Sequence, residues 1–243
     1  MSEGNGRALR VLWGSEMSPA REQNQDSVRV YHEQKAVQVS RRGSMMALAD
    51  GLGGYRGGAD AARMAVDQLW LYYQLPGSSF HPRDSLLGLF EKANRALHQM
   101  GQESEQHRRM GSTLSTILFD PTCRHFMVIQ VGDSPVFQIR KGQVRVLSVA
   151  HVEEGTNRLT QRLGQKDPVS PHICTGNVEE GDRFVLASDG IWTVMAPTGW
   201  TQRMACTEPA DELLEFTMEK IRKEGGDNGT LLVVDIFSEE QAP

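Results

Sequence analysis

Short apolar segments that end at Gly, Asp, Asn or Pro recur along the chain and constrain its fold more than any other feature. Segments of this kind, rich in β-branched and aromatic residues, are typical of strands bounded by turns. Lys141 and Gly142 predict a hairpin turn between two of them. The predicted strands are Leu9–Trp13, Val28–Tyr31, Met45–Ala49, Thr113–Phe119, His125–Val131, Val136–Arg140, Gln143–Ser148, Arg183–Ala187 and Thr230–Phe237.

Other segments carry apolar side chains at the spacing of one helix face. They are Gly58–Tyr73, Asp84–Met100, where Asp84 is the expected N-cap, and Pro209–Lys223. Because strands come in runs and helices come separately, the pattern predicts an α+β fold with antiparallel sheets. The amphipathic strands favour two sheets stacked face to face with helices outside, which is a four-layer α/β/β/α sandwich.

The chain is predicted to form one domain over residues 1–243, with frayed ends at about 1–7 and 239–243, because no Pro-, Gly- or Ser-rich linker divides it. With 39% hydrophobic and 23% charged residues, its composition argues against a disordered chain, a collagen or a coiled coil. The net charge of −5 does not favour a broad nucleic-acid-binding surface.

The cysteines are few and far apart, and none forms a CxxC pair, which argues against a thiolate zinc site and a disulfide scaffold. They are Cys123, Cys174 and Cys206, and we expect them to be packing residues. The polar start of the chain lacks the apolar region of a secretory signal, and no stretch has the length of a membrane span. We therefore expect a cytoplasmic protein with no membrane partner.

Several aspartates occupy similar places, each at the end of a predicted strand or in a turn just before one. They are Asp26, Asp50, Asp133, Asp189 and Asp227. An aspartate at the end of a buried strand loses solvation and is tolerated when it is paired, hydrogen-bonded or bound to a metal. If several converge at one edge of a sheet stack, a divalent cation relieves their repulsion, and oxygen-only ligands suit Mg²⁺ or Mn²⁺.

The same residues have simpler interpretations when each is taken alone. Asp-Gly is a common turn pair, so any one of these aspartates is compatible with a turn or a cap. The glycine-rich loop after Asp50 is compatible with a phosphate cradle, although it lacks the Lys of a P-loop. Its glycines also allow a close backbone approach, which makes the Gly51 carbonyl a candidate metal ligand.

The order of these motifs resembles that of the metal-dependent protein phosphatases, the type 2C serine/threonine phosphatases. The resemblance covers nearly the whole chain and implies an α/β/β/α sandwich with a centre of two Mn²⁺ or Mg²⁺ ions at one end of the sheets. The matching stretches are 21–26 (REQNQD), 49–54 (ADGLGG), 111–113 (GST), 131–134 (VGDS), 159–164 (LTQRLG), 186–191 (LASDGI) and 226–230 (GDNGT).

The resemblance also implies a role for each metal-ligating residue. Asp50 would bridge both metals, and the Gly51 carbonyl would bind one of them. Asp189 and Asp227 would complete the shell of the first metal. Asp26 would hold metal-bound water at the second.

Arg21 matches the family's phosphate-binding arginine, whose planar fork suits bidentate capture of phosphate oxygens. Two metals about 4 Å apart acidify a shared water, and the resulting hydroxide attacks phosphorus in line. The metals and Arg21 would stabilise the phosphoryl charge, so no nucleophilic Cys or Ser is needed. The implied function is hydrolysis of phosphoserine and phosphothreonine on proteins. The implied partners are phosphorylated proteins and a cognate Ser/Thr kinase, and we expect a monomer.

Three positions depart from the family pattern. Leu52 stands where eukaryotic members often carry a His proposed as general acid, which points to a bacterial type. Asp133 matches the ligand of a third, weaker metal, but the position of its usual acidic partner is occupied by Thr193, whose neutral side chain would weaken that site. The segment between His151 and Leu159 is short, which predicts a truncated flap, an open cleft and substrate selection by other loops such as Tyr55–Gly58.

Two other functions are compatible with the sequence. A non-catalytic family member would bind phosphoprotein or metal and act as a regulator, and its usual mark would be the loss of metal-binding aspartates. Asp26, Asp50, Asp189 and Asp227 are all present, which favours the enzyme. A metal phosphodiesterase or nuclease is disfavoured by the negative net charge and by the lack of an evident basic groove.

Overall fold

A computed structural model describes residues 7–32, 37–52, 56–76, 81–103, 110–195, 199–205 and 209–238. The strands in these ranges are β1 (Arg7–Glu16), β2 (Asp26–Tyr31), β3 (Ser44–Leu52), β4 (Gly111–Ser112), β5 (Leu114–Phe119), β6 (His125–Val131), β7 (Val136–Arg140), β8 (Gln143–Val146), β9 (His172–Asn177), β10 (Arg183–Ala187) and β11 (Gly229–Ser238). The helices are α1 (Val37–Arg42), α2 (Arg56–Gln68), α3 (Leu71–Gln74), α4 (Pro82–Glu103), α5 (Asp189–Met195), α6 (Trp200–Ala205) and α7 (Ala210–Glu224).

The strands form two antiparallel sheets. The first has the order β1-β11-β10-β7-β8. The second has the order β2-β3-β5-β6-β9, and the short β4 pairs with the end of β3. Apolar side chains on α1–α4 pack on the outer face of the second sheet, and those on α5–α7 pack on the outer face of the first. This arrangement confirms the α+β class and the α/β/β/α sandwich.

The core between the sheets follows from the alternation of side chains along each strand. On β11, Leu232 and Val234 lie between the sheets, whereas Leu231 and Val233 pack against the helices of the first sheet. Phe184 on β10 of the first sheet packs against two phenylalanines of the second sheet. Its ring centroid lies 5.1 Å from that of Phe119 and 5.0 Å from that of Phe126. Truncating such a buried aromatic side chain to alanine typically costs about 3–5 kcal/mol of unfolding free energy.

Most predicted strands are observed with shifted ends, but several elements were not predicted. Strand β9 is the clearest case, because it is short and its Gly176 and Asn177 weaken the strand signal. It forms by pairing along β6, from His172 opposite Gln130 to Asn177 opposite His125. The unpredicted helices are α1, α5 and α6, all of which are short.

Two helix predictions are wrong in detail. Asp84 is not an N-cap: the helix begins at Pro82, so Asp84 lies in its first turn. The helix predicted to reach Tyr73 is interrupted after Gln68, where Leu69 and Trp70 donate to carbonyls three residues back. The hydroxyl of Tyr73 reaches the Gly43 carbonyl at 3.0 Å, and a buried tyrosine needs such a partner. Packing of the tyrosines thus overrides the helical periodicity.

The remaining sequence predictions on organisation have mixed outcomes. Of the thiols, Cys123 is buried in the core between the sheets, Cys174 is half-buried against it, and Cys206 lies outside the described residues. Within the described ranges, no helix is long and apolar enough to cross a membrane. The single-domain organisation stays a prediction.

Candidate metal centre

Two of the expected metal ligands face each other across adjacent strands. The register of β2 and β3 places Asp26 directly opposite Asp50. Residues paired in this way have their Cβ atoms about 4.5–5.5 Å apart and point to the same side of the sheet. The next pair inward on that side, Val28 and Leu48, lies in the core between the sheets, so both carboxylates face the first sheet.

The other two ligands come from the first sheet. Asp189 follows the end of β10 and begins α5, and Asp227 lies just before β11, the strand paired with β10. Gly190 brings them together, since a Cβ on this residue would lie 2.0 Å from the Asn228 carbonyl oxygen. Glycine therefore permits the start of α5 to approach the 227–228 backbone. The ends of both sheets thus supply carboxylates to one cluster.

The pKa values of these carboxylates show how strongly they interact. Burial raises the pKa of Asp50 well above its usual range, and the charges of Asp26 and Asp189 raise it further. Burial also raises the pKa of Asp26 to about 7, against the lowering effect of hydrogen bonds from Thr230 and Ser188. The pKa of Asp189 is raised by burial and by the charge of Asp227. Burial and the neighbouring carboxyl groups therefore make ionisation of each of these three groups unfavourable.

The chemistry of this donor set fits hard divalent cations. Every side-chain donor is a carboxylate, and the buried Oδ1 of Asp189 has no hydrogen-bond partner. The arrangement is nevertheless not closed: among the described residues, no three His, Cys, Asp or Glu side chains already surround a common metal position. Asp227 forms an ion pair with Arg21, and Asp26 accepts from Ser188. In this structure the expected ligand Asp227 is thus paired with arginine rather than open to a cation.

The backbone of Asp50 is held by the 111–113 motif. Its N–H donates to Thr113 Oγ1 at 3.0 Å, and its carbonyl accepts from the Thr113 N–H and the Ser112 hydroxyl, both at 2.9 Å. The next residue, Gly51, lies so close to the start of α2 that a Cβ there would sit 2.1 Å from the Gly58 carbonyl oxygen. The predicted close backbone approach at Gly51 is thus observed, and its role as a carbonyl ligand stays a prediction.

The family model of protein phosphatase 2C matches residues 14–231, which is most of the chain. This chain belongs to the protein phosphatase 2C family. Among curated relatives, protein phosphatase PhpP of Streptococcus pneumoniae is 29% identical over 249 residues, covering 93% of this chain and 97% of that protein.

Solved structures of the protein phosphatase 2C fold agree with the architecture described above. The serine/threonine phosphatase of S. agalactiae superposes with a TM-score of 0.81 at 23% identity, covering 94% of this chain and 99% of that one. The catalytic domain of the serine/threonine phosphatase PstP, in complex with two manganese ions, superposes with a TM-score of 0.76 at 24% identity, covering 96% and 100%. At these identities the likeness shows the fold alone.

Asp133 lies within electrostatic range of Asp189 in this phosphatase 2C chain. Burial and the charge of Asp189 raise its pKa to about 6. Thr193, which stands at the position of the family's acidic partner, is exposed and donates its hydroxyl to the Asp189 carbonyl at 3.0 Å. The structure therefore brings Asp133 into the electrostatic range of Asp189 but offers only a hydroxyl from Thr193.

The flap of this family member is short, as predicted. Val152 and Leu159 form an isolated bridge, and the Glu153 N–H donates to the Arg158 carbonyl at 2.9 Å. These contacts close a small hairpin where a longer insertion would stand. In the other loop proposed to select substrate, residues 53–55 lie outside the described residues.

Several residues outside the expected ligand set support the site. His151 Nδ1 accepts from the Gly132 N–H at 3.1 Å, and the backbone N–H of His151 donates to the Gly132 carbonyl at 2.8 Å. Burial lowers the pKa of His151, which is consistent with a neutral ring that accepts at Nδ1. His151 thus holds the turn that presents Asp133. The buried Ser188 and Thr230 lie within the matching stretches 186–191 and 226–230, but the sequence did not predict a role for their hydroxyls.

Proposed function

We propose that this chain is a metal-dependent protein phosphatase that hydrolyses phosphoserine and phosphothreonine on proteins with two Mn²⁺ or Mg²⁺ ions. The observation that carries the proposal is the meeting of four carboxyl groups from the ends of both sheets, of which Asp26, Asp50 and Asp189 have raised pKa values. Family membership and the names of the relatives support the same activity. The two-manganese complex of PstP supports the metal stoichiometry.

Each ligand has an assigned role in the proposal. Asp50 would contact both cations, and the Gly51 carbonyl, Asp189 and Asp227 would complete the shell of the first. Asp26 would hold water at the second. When bound, the two cations would lower the pKa of a water molecule and neutralise phosphoryl charge.

Arg21 is placed to receive the substrate. Its side chain is 44% exposed and reaches the edge of the carboxylate cluster through Asp227. With Asp227 holding a cation, the Arg21 guanidinium would be free to donate two parallel hydrogen bonds to phosphoryl oxygens. The same guanidinium then stabilises the charge that develops on the phosphoryl group. Leu52 cannot donate a proton, so the leaving alkoxide would be protonated by water or by another group.

The partners follow from the substrate class. A phosphorylated protein presupposes a Ser/Thr kinase that makes it, and we propose that a cognate kinase acts on the same proteins in the cytoplasm. The monomeric state stays a prediction. No nucleic-acid substrate is proposed, because the chain has a net charge of −5.

A non-catalytic regulator is the second candidate. It is favoured by the ion pair between Arg21 and Asp227, which occupies one of the four carboxylates. It is also favoured by Thr193, which replaces a charged ligand with a neutral one. In this alternative the cluster would bind phosphoprotein without turnover.

The test is hydrolysis of a phosphothreonine peptide with Mn²⁺, with Mg²⁺ and with EDTA. The wild type is compared with Asp189→Asn and with Asp211→Asn, a control that makes the same change at an exposed position of α7. We expect the wild type to hydrolyse the peptide and EDTA to abolish this turnover. Asp189→Asn should lower the turnover by at least about 100-fold, and Asp211→Asn should leave it unchanged. Folded protein with no turnover under any metal would favour the regulator. Faster hydrolysis of bis(4-nitrophenyl) phosphate than of 4-nitrophenyl phosphate would favour a phosphodiesterase.

A further inference from the structure

We propose that Thr230 and Ser188 are positioning residues that aim the Asp26 carboxylate into the metal centre, at the end of a one-way chain of hydrogen bonds that begins at Asn24. The proposal rests on the proposed function, because it concerns the second of the two cations. Asp26 belongs to the second sheet, whereas Ser188 and Thr230 belong to the end of the first. Their contacts therefore join the two sheets at the site.

The orientation of the Asn24 side chain sets the direction of the chain. The Asp26 N–H donates to Asn24 Oδ1 at 3.0 Å, and a backbone N–H can only donate. The other end of the amide is therefore Nδ2, which donates to Ser15 Oγ at 2.8 Å. The backbone contact thus assigns an amide orientation that side-chain density alone rarely distinguishes.

Each hydroxyl in the chain then donates its single hydrogen bond to the next acceptor. Ser15 Oγ, having accepted from Asn24, donates to Thr230 Oγ1 at 2.7 Å. Thr230 shares one face of β11 with Leu232 and Val234, which turns its side chain toward the second sheet, and its hydroxyl lowers the pKa of Asp26 as a donor to that carboxylate. Because a hydroxyl has one proton, a Thr230 hydroxyl that donates to Asp26 can only accept from Ser15, which sets the direction of the chain.

Ser188 supplies the second donor in the same way. Its Oγ accepts from the Thr230 N–H at 2.9 Å, so its proton is directed to Asp26 Oδ2, also at 2.9 Å. Ser188 and Thr230 are both fully buried. Asp26 thus accepts from a hydroxyl of the first sheet at Oδ2 and lies opposite Asp50 across the strand pair.

Groups that hydrogen-bond a metal-ligating side chain set its orientation, and their loss typically weakens metal affinity about 10- to 100-fold. Asp26 is assigned to one of the two cations only. Removing the Thr230 or Ser188 hydroxyl should therefore weaken one Mn²⁺ site and leave the other unchanged. A purely structural role would weaken both sites together or neither.

The experiment is calorimetric titration of the metal-free protein with Mn²⁺, with folding checked by circular dichroism. Thr230→Val replaces the hydroxyl with a methyl group of similar size, and Thr230→Ser restores the hydroxyl. Ser188→Ala is the second variant should Thr230→Val fail to fold. Thr217→Val is the matched control, because Thr217 is also fully buried and its hydroxyl donates to the Leu213 carbonyl at 2.7 Å, within α7.

We expect Thr230→Val and Ser188→Ala to weaken one Mn²⁺ binding event by about 10-fold or more, with Thr230→Ser and Thr217→Val close to wild type. Two unchanged binding events in both hydroxyl-deleted variants would overturn the proposal. So would an equal loss at both sites, or a loss that Thr230→Ser does not rescue. The proposed function itself would be overturned if the wild type bound no Mn²⁺ and hydrolysed no phosphopeptide. The outcomes that concern only the variants leave the proposed function standing.

Discussion

Asp26 lies directly opposite Asp50 in the register of β2 and β3, with both carboxylates directed toward the first sheet. Two carboxylates in that relationship repel each other when both are ionised. Asp189 adds a third charge from the other sheet, as its effect on the pKa values of both residues shows. The metal-free site is therefore a local source of instability, which a divalent cation would relieve.

The stability of the metal-free protein should depend on pH through this cluster. The folded-state pKa of Asp26 is raised to about 7, above an unfolded value of about 3.9. The folded protein then binds more protons than the unfolded chain between these values. The stabilisation is complete below about pH 4 and is lost as the pH rises through about 7.

This dependence is measured by urea unfolding in EDTA at several pH values, for wild type and Asp26→Asn. We expect the wild type to lose more unfolding free energy than the variant between pH 5 and 7.5. The comparison matters because His32 and His151, whose pKa values are lowered by burial, contribute a slope of opposite sign. Identical slopes for both proteins would contradict the prediction. Saturating Mn²⁺ should reduce the slope of the wild type.

Arg21 should matter for catalysis and little for stability. Its ion pair with Asp227 is exposed, with side-chain exposures of 44% and 37%, so Arg21→Ala should change the unfolding free energy by less than about 1 kcal/mol. Hydrogen bonds to charged groups are worth about 1.5–3 kcal/mol, which predicts a fall in kcat/KM of roughly 10- to 100-fold on a phosphopeptide. Arg21→Lys should recover only part of this, because lysine lacks the bidentate fork.

The control for Arg21 is Arg222→Ala. Arg222 is exposed and paired with Glu16 at 2.6 Å, but on α7 and outside the carboxylate cluster. Its loss should leave kcat/KM unchanged. If Arg21→Ala and Arg222→Ala lowered kcat/KM equally, the proposed role of Arg21 in binding the phosphoryl group would be wrong.

Gly190→Ala should disrupt the site from the backbone. The added Cβ would meet the Asn228 carbonyl oxygen at 2.0 Å, so the start of α5 and the 227–228 backbone would have to move apart, which would separate Asp189 from Asp227. Overpacking of this kind typically costs about 1–3 kcal/mol, and we expect Mn²⁺ binding to weaken as well. Gly226→Ala is the control, because a Cβ there has no heavy atom within 4 Å. Thermal unfolding and Mn²⁺ titration of the two variants make the comparison, and wild-type Mn²⁺ affinity in Gly190→Ala would refute the predicted effect on the site.

Thr193→Asp should strengthen the proposed third cation site. Thr193 lies on α5, one turn from Asp189, and Asp133 is already within reach of the Asp189 charge. Hard cations prefer carboxylate oxygens, so a charged side chain should raise affinity where a hydroxyl does not. We expect an additional or tighter Mn²⁺ binding event in Thr193→Asp and none in Thr193→Asn. The same stoichiometry in all three proteins would show that Asp133 does not take part in such a site.

Local patterns in the sequence predicted the strands that alternate strongly and the aspartates that end them. Most strands on both sides of the inter-sheet core appear as expected, because side-chain alternation is a property of each segment alone. Strand β9 was missed because it is short and ends in Gly and Asn, and pairing along β6 decides its structure. On the helix predicted to reach Tyr73, Trp70 is 40% exposed whereas Tyr73 is buried, because the helix tightens before Trp70.

The sequence by itself determined which residue types reach the candidate site. Local strand and turn chemistry places the aspartates, the glycines next to some of them, and Arg21. Tertiary structure alone decided how these residues meet. The register that pairs Asp26 with Asp50, the ion pair between Arg21 and Asp227 and the hydroxyls of Ser188 and Thr230 aimed at Asp26 all join segments distant in the chain. Such contacts depend on how two sheets stack, and the stacking is set by the core between them rather than by any segment's own propensity.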